Sequence, residues 1–387
     1  CDFFPFLRCY QPRLAFPLFF VFCTSACRLF NETDSKRSIL YAILTGIVLA
    51  LLLFSYFYLW TAAAAWFGCI SFFWIVAAKD TRAKTVLNVA VVAVIGLAAI
   101  IPYFLLLADR PQNMDDTQLL TFTRMPNLFE LPEVIGILLA AAIIVLVRKG
   151  KLEFRSPQVL FTLSLAATPI VLFNQQVVTG RSLQPIHYEI FIANYLIMTA
   201  VMVLIWLVGQ AYQSKDFSQH FRRGLVYLAV AAVLWGFIES TARARRNAAY
   251  ESLRDDAMPV LTYLHTQEKI DGTPGGRYTA VISTNLMVAD FIPTVTSYRS
   301  LWNPHTNSAG GVDHAQNKEL FYRYLYYSGF DEKDVAKAIN DNLYELMAAF
   351  FGGGRALSAL DRSAKPITRA ETEAEIRNYA KFRNELD

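Results

Sequence analysis

Long apolar segments without a charged residue constrain this chain more than any other feature. The segment Ser38 to Ala78 contains no Asp, Glu, Lys or Arg and is long enough for two membrane spans of about 20 residues each. Thr85 to Ala108 is another such segment. Only 18% of the residues are charged, whereas soluble domains carry about 25%. These segments indicate an integral membrane protein and exclude a disordered chain or an ordinary soluble enzyme.

The apolar segments predict an α-helical polytopic membrane protein with about eight transmembrane helices, all within residues 1–240. Two of the eight fall within Ser38 to Ala78, with a turn expected near Trp60. The others are Leu14 to Phe30, Thr85 to Ala108, Leu131 to Val147, Gln158 to Phe173, Ile190 to Gln210 and Gly224 to Ile238.

The distribution of Lys and Arg predicts the orientation of these spans. If the spans alternate in direction, one set of loops carries thirteen basic residues and the opposite set carries five. Short basic loops remain on the cytoplasmic side of a membrane. The N-terminus and the region after Ile238 are therefore expected on the extracytoplasmic side. The membrane is expected to be an inner or plasma membrane, and its lipid bilayer is the expected partner of the chain.

Residues 241–387 have the composition of a water-soluble region, and they predict a small extracytoplasmic α/β domain. Strands are expected at Tyr278 to Ser283 and at Thr294 to Tyr298, and the final helix at Glu371 to Asp387. The aromatic run Phe321 to Tyr327 has helical spacing, which favours a packing surface over a sugar-binding platform. The chain begins with Cys and stops within a helical pattern, so it is expected to be a fragment of a longer protein.

Several function classes lack their sequence signals. The net charge of +4 is too small to indicate nucleic-acid binding, and no glycine-rich segment matches a phosphate-binding loop. His305, Asp313 and His314 do not have the spacing of a metal site. No cofactor is evident from these patterns.

Two loops on the less basic side carry candidate site residues. The loop Asn174 to Glu189 is rich in polar side chains at a membrane boundary, where they need water, each other or a ligand. Its candidate substrate-binding residues are Gln175, Gln176, Arg181, His187 and Glu189. Arg181 could hold a phosphate in a bidentate fork, and a hydrated loop that caps two helices is the alternative.

The second loop, Asp109 to Glu130, carries the adjacent carboxylates Asp115 and Asp116. Such a pair could hold a divalent cation or act as a general base. The alternative is an ordinary acidic outer loop without a site. Such a loop is expected on this side, because the basic residues lie mostly in the loops on the other side.

The chain resembles the GT-C-type membrane glycosyltransferases, among them uncharacterised bacterial relatives. The segments that carry the resemblance are Asn174-Gln-Gln-Val-Val-Thr-Gly-Arg-Ser-Leu-Gln-Pro-Ile-His-Tyr-Glu189, Ala289-Asp-Phe-Ile-Pro293, Leu301-Trp-Asn-Pro-His305 and Tyr326-Tyr-Ser-Gly329. The resemblance implies transfer of a sugar from a polyprenyl-phosphate-linked donor on the outer side of the membrane, with Arg181 and His187 at the donor phosphate.

The family's catalytic acid lies in the first outer loop, and this chain is expected to start beyond that loop. No catalytic residue is therefore carried over, and Asp115 and Asp116 are substitutes. Two other functions stay open from the sequence, a polytopic transporter or lipid flippase and a non-enzymatic membrane-anchored binding module.

Overall fold

The computed structural model describes residues 12–77, 81–108, 120–183, 185–212, 215–270, 279–308, 313–341, 343–356 and 366–387. These residues are mostly helical, as the apolar segments predict. They divide into two compact units, Cys1–Asp109 with Phe122–Val226 and Arg110–Thr121 with Tyr227–Asp387. A single helix runs through the predicted domain boundary after residue 240, and that boundary stays a prediction.

The first unit is a helix bundle with two very short strands. Its helices are α1 (Pro12–Asn31), α2 (Ser35–Leu53), α3 (Phe57–Ala77), α4 (Arg82–Ala108), α5 (Leu131–Arg148), α6 (Pro157–Thr179), α7 (Pro185–Tyr188) and α8 (Asn194–Tyr212). The strands are β1 (Leu120–Phe122), of which only Phe122 belongs to this unit, and β2 (Arg181–Leu183). A π-helical turn, Glu189–Ala193, joins α7 to α8. Helix α9 (Lys215–Ile270) follows.

Seven helical segments among the described residues are long and apolar enough to cross a membrane, which indicates a multi-pass membrane protein. They are Ser35–Leu53, Phe57–Ala77, Arg82–Ala108, Leu131–Arg148, Pro157–Thr179, Asn194–Tyr212 and Gln219–Arg246. The eighth predicted span falls on α1, whose apolar part, Ala15–Asn31, is shorter than these seven. The turn expected near Trp60 lies earlier, between Leu53 and Phe57, because Trp60 and its neighbours already form the first turn of α3.

The bundle helices approach each other closely at small residues and pair polar side chains in the interior. A Cβ atom at Gly136 of α5 would lie 2.3 Å from the backbone oxygen of Ala166 in α6, so only glycine allows these two helices to pack at this distance. The Trp66 indole N–H donates to the Ser164 hydroxyl at 3.2 Å. Such pairs satisfy buried polar groups that neither lipid nor apolar neighbours could satisfy.

Alternating helix directions give the bundle two different ends. The end where α1, α3 and α5 finish and α2, α4 and α6 begin is called the basic end here. Its described basic residues are Arg28, Lys36, Arg37, Arg82, Lys84, Arg148, Lys149, Lys151 and Arg155. The opposite end is called the aromatic end, because Tyr56, Tyr58, Trp60 and Tyr103 lie there.

The second unit contains the C-terminal helices and a parallel pair of two-residue strands. The strands are β3 (Ala280–Val281) and β4 (Arg299–Ser300). The helices after α9 are α10 (Leu286–Val295), a 3-10 turn (Pro304–Ser308), α11 (His314–Tyr327), α12 (Glu332–Asn340), α13 (Tyr344–Phe351), α14 (Gly353–Ala356) and α15 (Arg369–Leu386).

This unit differs from the predicted small α/β domain. The first predicted strand is reduced to Ala280–Val281, and the second moves to Arg299–Ser300 because α10 extends through Val295. The core is instead a set of helices packed around Trp302, with Phe321, Phe350 and Tyr379 fully buried. The aromatic run Phe321 to Tyr327 contributes to this core, which confirms the predicted packing surface, and α15 confirms the predicted final helix.

Candidate functional site

The predicted outer loop Asn174 to Glu189 is mostly helical, and this difference shapes the candidate site. Helix α6 continues to Thr179 and ends at Gly180, whose φ of +74° is a left-handed conformation that favours glycine. Asn174, Gln175 and Gln176 therefore lie on the last turns of a helix rather than in a loop. The helix continues because distant segments of the chain bind these polar side chains.

The strongest arrangement at the aromatic end joins α3, α6 and α7 around a buried tyrosine. We call Tyr58, Thr61, Gln175, His187 and Tyr188 the aromatic cluster. Only 1% of Tyr188 is exposed, and its hydroxyl accepts a hydrogen bond from Gln175 Nε2 at 3.1 Å. The Tyr188 hydroxyl and Thr61 Oγ1 are 3.0 Å apart. Because the Thr61 hydroxyl donates to the Phe57 carbonyl, Tyr188 is the donor in this pair.

Ring contacts complete the aromatic cluster. The His187 imidazole stacks on the Tyr58 ring, with centroids 4.7 Å apart and planes 12° apart. Tyr58 also meets the Tyr188 ring edge-on at 5.1 Å. Burial raises the pKa of the Tyr188 phenol above its ordinary value, so the hydroxyl stays neutral and keeps the proton that it donates. The cluster is thus a packed set of rings with neutral hydroxyl and amide groups, in which Thr61, Gln175 and His187 are only half-buried.

A π-helical turn follows the aromatic cluster directly. In this turn the backbone N–H of Asn194 donates to the carbonyl of Glu189, five residues earlier. Turns of this kind occur often at functional sites, because they change which side chains face a neighbouring helix. Glu189 begins the turn and is half-buried.

A second polar group at the aromatic end is structural. Glu133 is fully buried, and its Oε1 accepts from Asn174 Nδ2 at 2.7 Å while its Oε2 accepts from the Glu130 backbone N–H at 3.2 Å. Asn174 also bonds both backbone groups of Asn127. Glu133 Oε1 therefore fastens the start of α5 to the end of α6, while Oε2 caps the start of α5 itself.

The segment before α5 binds the end of α6 through two further contacts. Gln176 Nε2 donates to the Met125 carbonyl at 3.1 Å. Arg124 donates to the carbonyls of Val177 and Val178, both at 3.0 Å. The helix end is thereby capped by a distant cation, as the negative end of a helix dipole favours.

The structure thus distributes the predicted binding residues among different roles. It brings Gln175 and His187 together in the aromatic cluster, whereas Gln176 is buried against Met125 and is occupied by a structural contact. Arg181 is exposed in β2, just beyond the end of α6. Asp115 and Asp116, the candidate catalytic carboxylates, lie outside the described residues.

Sequence reasoning missed Tyr58, Thr61 and Tyr188 as site residues. In the sequence Tyr58 is typical of an interfacial aromatic residue, and its contact with Tyr188 joins positions far apart along the chain. The adjacency of Tyr188 to His187 is the one local signal that could include it. Glu133 is recognisable in the sequence only as a charge near a span end.

No group of three or more His, Cys, Asp or Glu residues that could hold a metal ion occurs among the residues that the structure describes. At the aromatic end, the half-buried side chains of Thr61, Gln175 and His187 are the cluster members that a ligand could reach. Comparisons of the chain with protein-family models, curated proteins and solved structures find no match.

Proposed function

We propose that this chain is a glycosyltransferase-like membrane protein that takes a sugar from a polyprenyl-phosphate-linked donor at the aromatic end of the bundle. The observation that carries the proposal is the aromatic cluster, in which stacked rings and a Gln175–Tyr188–Thr61 hydrogen-bond chain converge at one end of a membrane bundle. A lipid-linked sugar has its polar headgroup at that depth, with its isoprenoid chain in the bilayer.

The chemistry of the cluster suits a sugar. Sugar hydroxyls both donate and accept hydrogen bonds, as do the amide of Gln175 and the hydroxyls of Thr61 and Tyr188. The apolar face of a sugar ring packs on aromatic rings such as those of Tyr58 and His187. The Trp60 indole N–H, in the first turn of α3, is buried and has no hydrogen-bond partner among the described residues, so a ligand oxygen that reached it would satisfy it.

The donor phosphate is assigned to Arg181, whose guanidinium matches the geometry of phosphate oxygens. Arg181 is exposed close to the end of α6 in sequence, so a bound phosphate would not need to be fully desolvated. Asp115 and Asp116 remain substitute candidates for the acid–base residues, since the resemblance to the glycosyltransferase family carries over no catalytic residue. The transfer would take place on the extracytoplasmic side, where the basic-residue bias places the aromatic end.

The test is sugar transfer by the full-length protein reconstituted in lipid vesicles with a radiolabelled polyprenyl-phosphate sugar. We expect Arg181→Ala to raise the donor concentration needed for half-maximal transfer by about tenfold, as loss of a charge-assisted pair would. The matched control is Arg148→Ala at the basic end, which should leave this concentration unchanged. The same donor concentration for half-maximal transfer in the unsubstituted protein, in Arg181→Ala and in Arg148→Ala would contradict the assignment of Arg181 to the donor phosphate.

The second candidate function is transport, because Glu133 is an ionisable group buried within a span and such groups often carry protons. Glu133→Gln keeps one acceptor oxygen for Asn174 and removes the charge. The melting temperature should fall in either case, because the glutamine amide cannot accept from the Glu130 backbone N–H, and a transporter should also lose pH-dependent uptake. A glycosyltransferase should keep its donor requirement and lose only thermal stability.

A further inference from the structure

The basic end of the bundle contains a cavity that the proposed function does not use. Its volume is about 600 Å³, and its polar lining comes from the α1–α2 connection, the start of α4 and the segment before α6. Lys84 and Arg155 bring two positive charges to this lining, against the single carboxylate of Glu32, which accepts from the Asp34 backbone N–H. Ser35 and Ser38 bring hydroxyl groups. All of these residues belong to the first unit.

One cation at this cavity is held in place by backbone groups. Lys84 Nζ donates to the carbonyls of Glu32 and Thr33 at 3.0 and 2.8 Å. These two bonds fix the ammonium at the α1–α2 connection and leave one of its three N–H donors. Arg155 lines the same cavity with an exposed side chain. The lining is therefore suited to a phosphate group that approaches from the headgroup region.

The inner part of the cavity presents a buried polar atom without a partner. Only 4% of Asn88 is exposed, and its Nδ2 donates to the Ser38 hydroxyl. Its Oδ1 is buried and has no hydrogen-bond partner among the described residues. A buried acceptor of this kind is costly unless a donor reaches it, and Asn88 lines the cavity. The ligand is thus expected to carry a hydroxyl as well as a phosphate.

A mostly apolar groove adjoins the cavity. This groove, of about 480 Å³, shares Asn31 and Trp74 with the cavity lining, and it continues along Ile70, Phe161 and Val203. A ligand with a polar headgroup and an apolar chain fits the cavity and the groove together, with the headgroup beside Lys84 and the chain against Phe161.

We infer that the basic end is a specific site for an anionic glycerophospholipid whose headgroup carries a hydroxyl group. Phosphatidylglycerol has this chemistry, since its phosphodiester is negative and its terminal glycerol donates hydrogen bonds. The phosphate pairs with Lys84 and Arg155, a glycerol hydroxyl donates to Asn88 Oδ1, and an acyl chain occupies the apolar groove. This site is separate from the donor site proposed at the aromatic end.

The experiment measures lipid binding to the purified full chain in detergent micelles by native mass spectrometry. Phosphatidylglycerol, phosphatidylcholine and phosphatidylmethanol with identical acyl chains are compared. We expect phosphatidylglycerol to bind at least about fivefold more tightly than phosphatidylcholine, because each basic residue near the headgroup is worth about that factor. It should also bind about fivefold more tightly than phosphatidylmethanol, which has the same charge and no hydroxyl to reach Asn88.

Two variants assign these preferences to residues. Arg155→Gln should weaken phosphatidylglycerol binding about fivefold, whereas Arg148→Gln, a basic residue at the same end and outside the lining, should not. Asn88→Ala should abolish the advantage over phosphatidylmethanol. Should this variant fail to fold, the lipid series and Arg155→Gln still decide the outcome.

Three results would overturn the inference. The first is equal affinity for phosphatidylglycerol and phosphatidylcholine, and the second is equal weakening by Arg155→Gln and Arg148→Gln. The third is displacement of the lipid by soluble glycerol phosphate at a similar concentration, which would identify a free phosphate compound as the occupant.

Discussion

The bundle of the first unit and the helices that follow α9 in the second unit distribute polar and apolar side chains in opposite ways. In the first unit, hydroxyl and amide side chains such as Thr45, Asn88 and Ser164 are buried, while Leu97 and Phe104 are more than half exposed. In the second unit, Trp302 and Phe321 are buried and ion pairs such as Arg355–Glu371 lie nearer the surface. The difference is typical of lipid around the bundle and of water around the helices after α9, because each part then keeps the less soluble side chains away from its solvent.

The largest effect is expected in the aromatic core of the second unit. Trp302 is 1% exposed, packs against Phe321 at 4.5 Å between centroids and donates to Asn317 at 3.1 Å. Trp302→Ala should lower the free energy of unfolding of this unit by about 3–5 kcal/mol. Chemical denaturation followed by circular dichroism measures the loss. Tyr327→Ala, at an exposed aromatic residue of the same unit, should change the value little, and similar losses for both would contradict a core centred on Trp302.

A charged residue at an exposed apolar position of the first unit tests whether lipid faces that surface. Leu97 lies near the middle of α4 and is 61% exposed. Leu97→Lys should cost about 2.5–3.5 kcal/mol of insertion free energy if this surface faces lipid. A glycosylation-based insertion assay on α4 measures the cost. Tyr327→Lys in the second unit is the control and should leave the free energy of unfolding of that unit unchanged. Full tolerance of Lys at position 97 would mean that water reaches this surface.

A smaller effect is expected in the interior of the first unit, where two helices pack closely at a glycine. Gly136→Ala would place a methyl group 2.3 Å from the Ala166 carbonyl oxygen, so α5 and α6 must separate. We expect a loss of about 1–3 kcal/mol, seen as a lower melting temperature in detergent. Gly68→Ala is the matched control, because no atom lies within 4 Å of its added Cβ and alanine favours the helix. A melting temperature unchanged by Gly136→Ala would be evidence against this close packing.

The smallest effect concerns a surface carboxylate of the second unit. Glu371 accepts bonds from the Arg355 guanidinium and from Thr368, and these lower its pKa from 4.5 to about 2. A lowered folded-state pKa means that the stabilisation is present above pH 4.5 and is lost as the pH falls toward 2. Carbon-detected NMR titration of Glu371 measures this, and Arg355→Gln should move the pKa back toward 4.5. A Glu371 pKa near 4.5 in the unsubstituted protein would contradict the pairing.

The helix bundle could be predicted from the sequence because its signal is local. Each uncharged apolar segment is long enough to cross a bilayer by itself, so α4 and α5 are recognisable without knowledge of their neighbours. The turn before α3 was misplaced because Phe57 to Trp60 carry no helix-breaking residue, and the turn lies instead at Phe54 to Tyr56. The short strands were overestimated because the apolar residues near Val295 favour a strand and a helix equally well.

The site could be predicted only in part, because its contacts are not local. The polar residues from Asn174 to Gln176 resemble a loop in the sequence, yet bonds from Asn127 and Met125 extend α6 through them. Tyr58 reaches His187 only through the packing of α3 against α6 and α7. Gln175 and His187 could therefore be predicted from their polarity at a span boundary. Their ring and hydroxyl partners become visible only in the three-dimensional structure.

The most direct measurement is the binding of a polyprenyl-phosphate sugar and of the same polyprenyl phosphate without its sugar to the full chain in lipid nanodiscs. The aromatic cluster predicts that the sugar-bearing lipid binds at least about fivefold more tightly, since it gains hydrogen bonds from Gln175 and the Tyr188–Thr61 pair. Gln175→Leu should remove most of this difference and leave binding of the sugar-free lipid unchanged. Equal affinities of the unsubstituted protein for the two lipids would contradict a sugar site at the aromatic end.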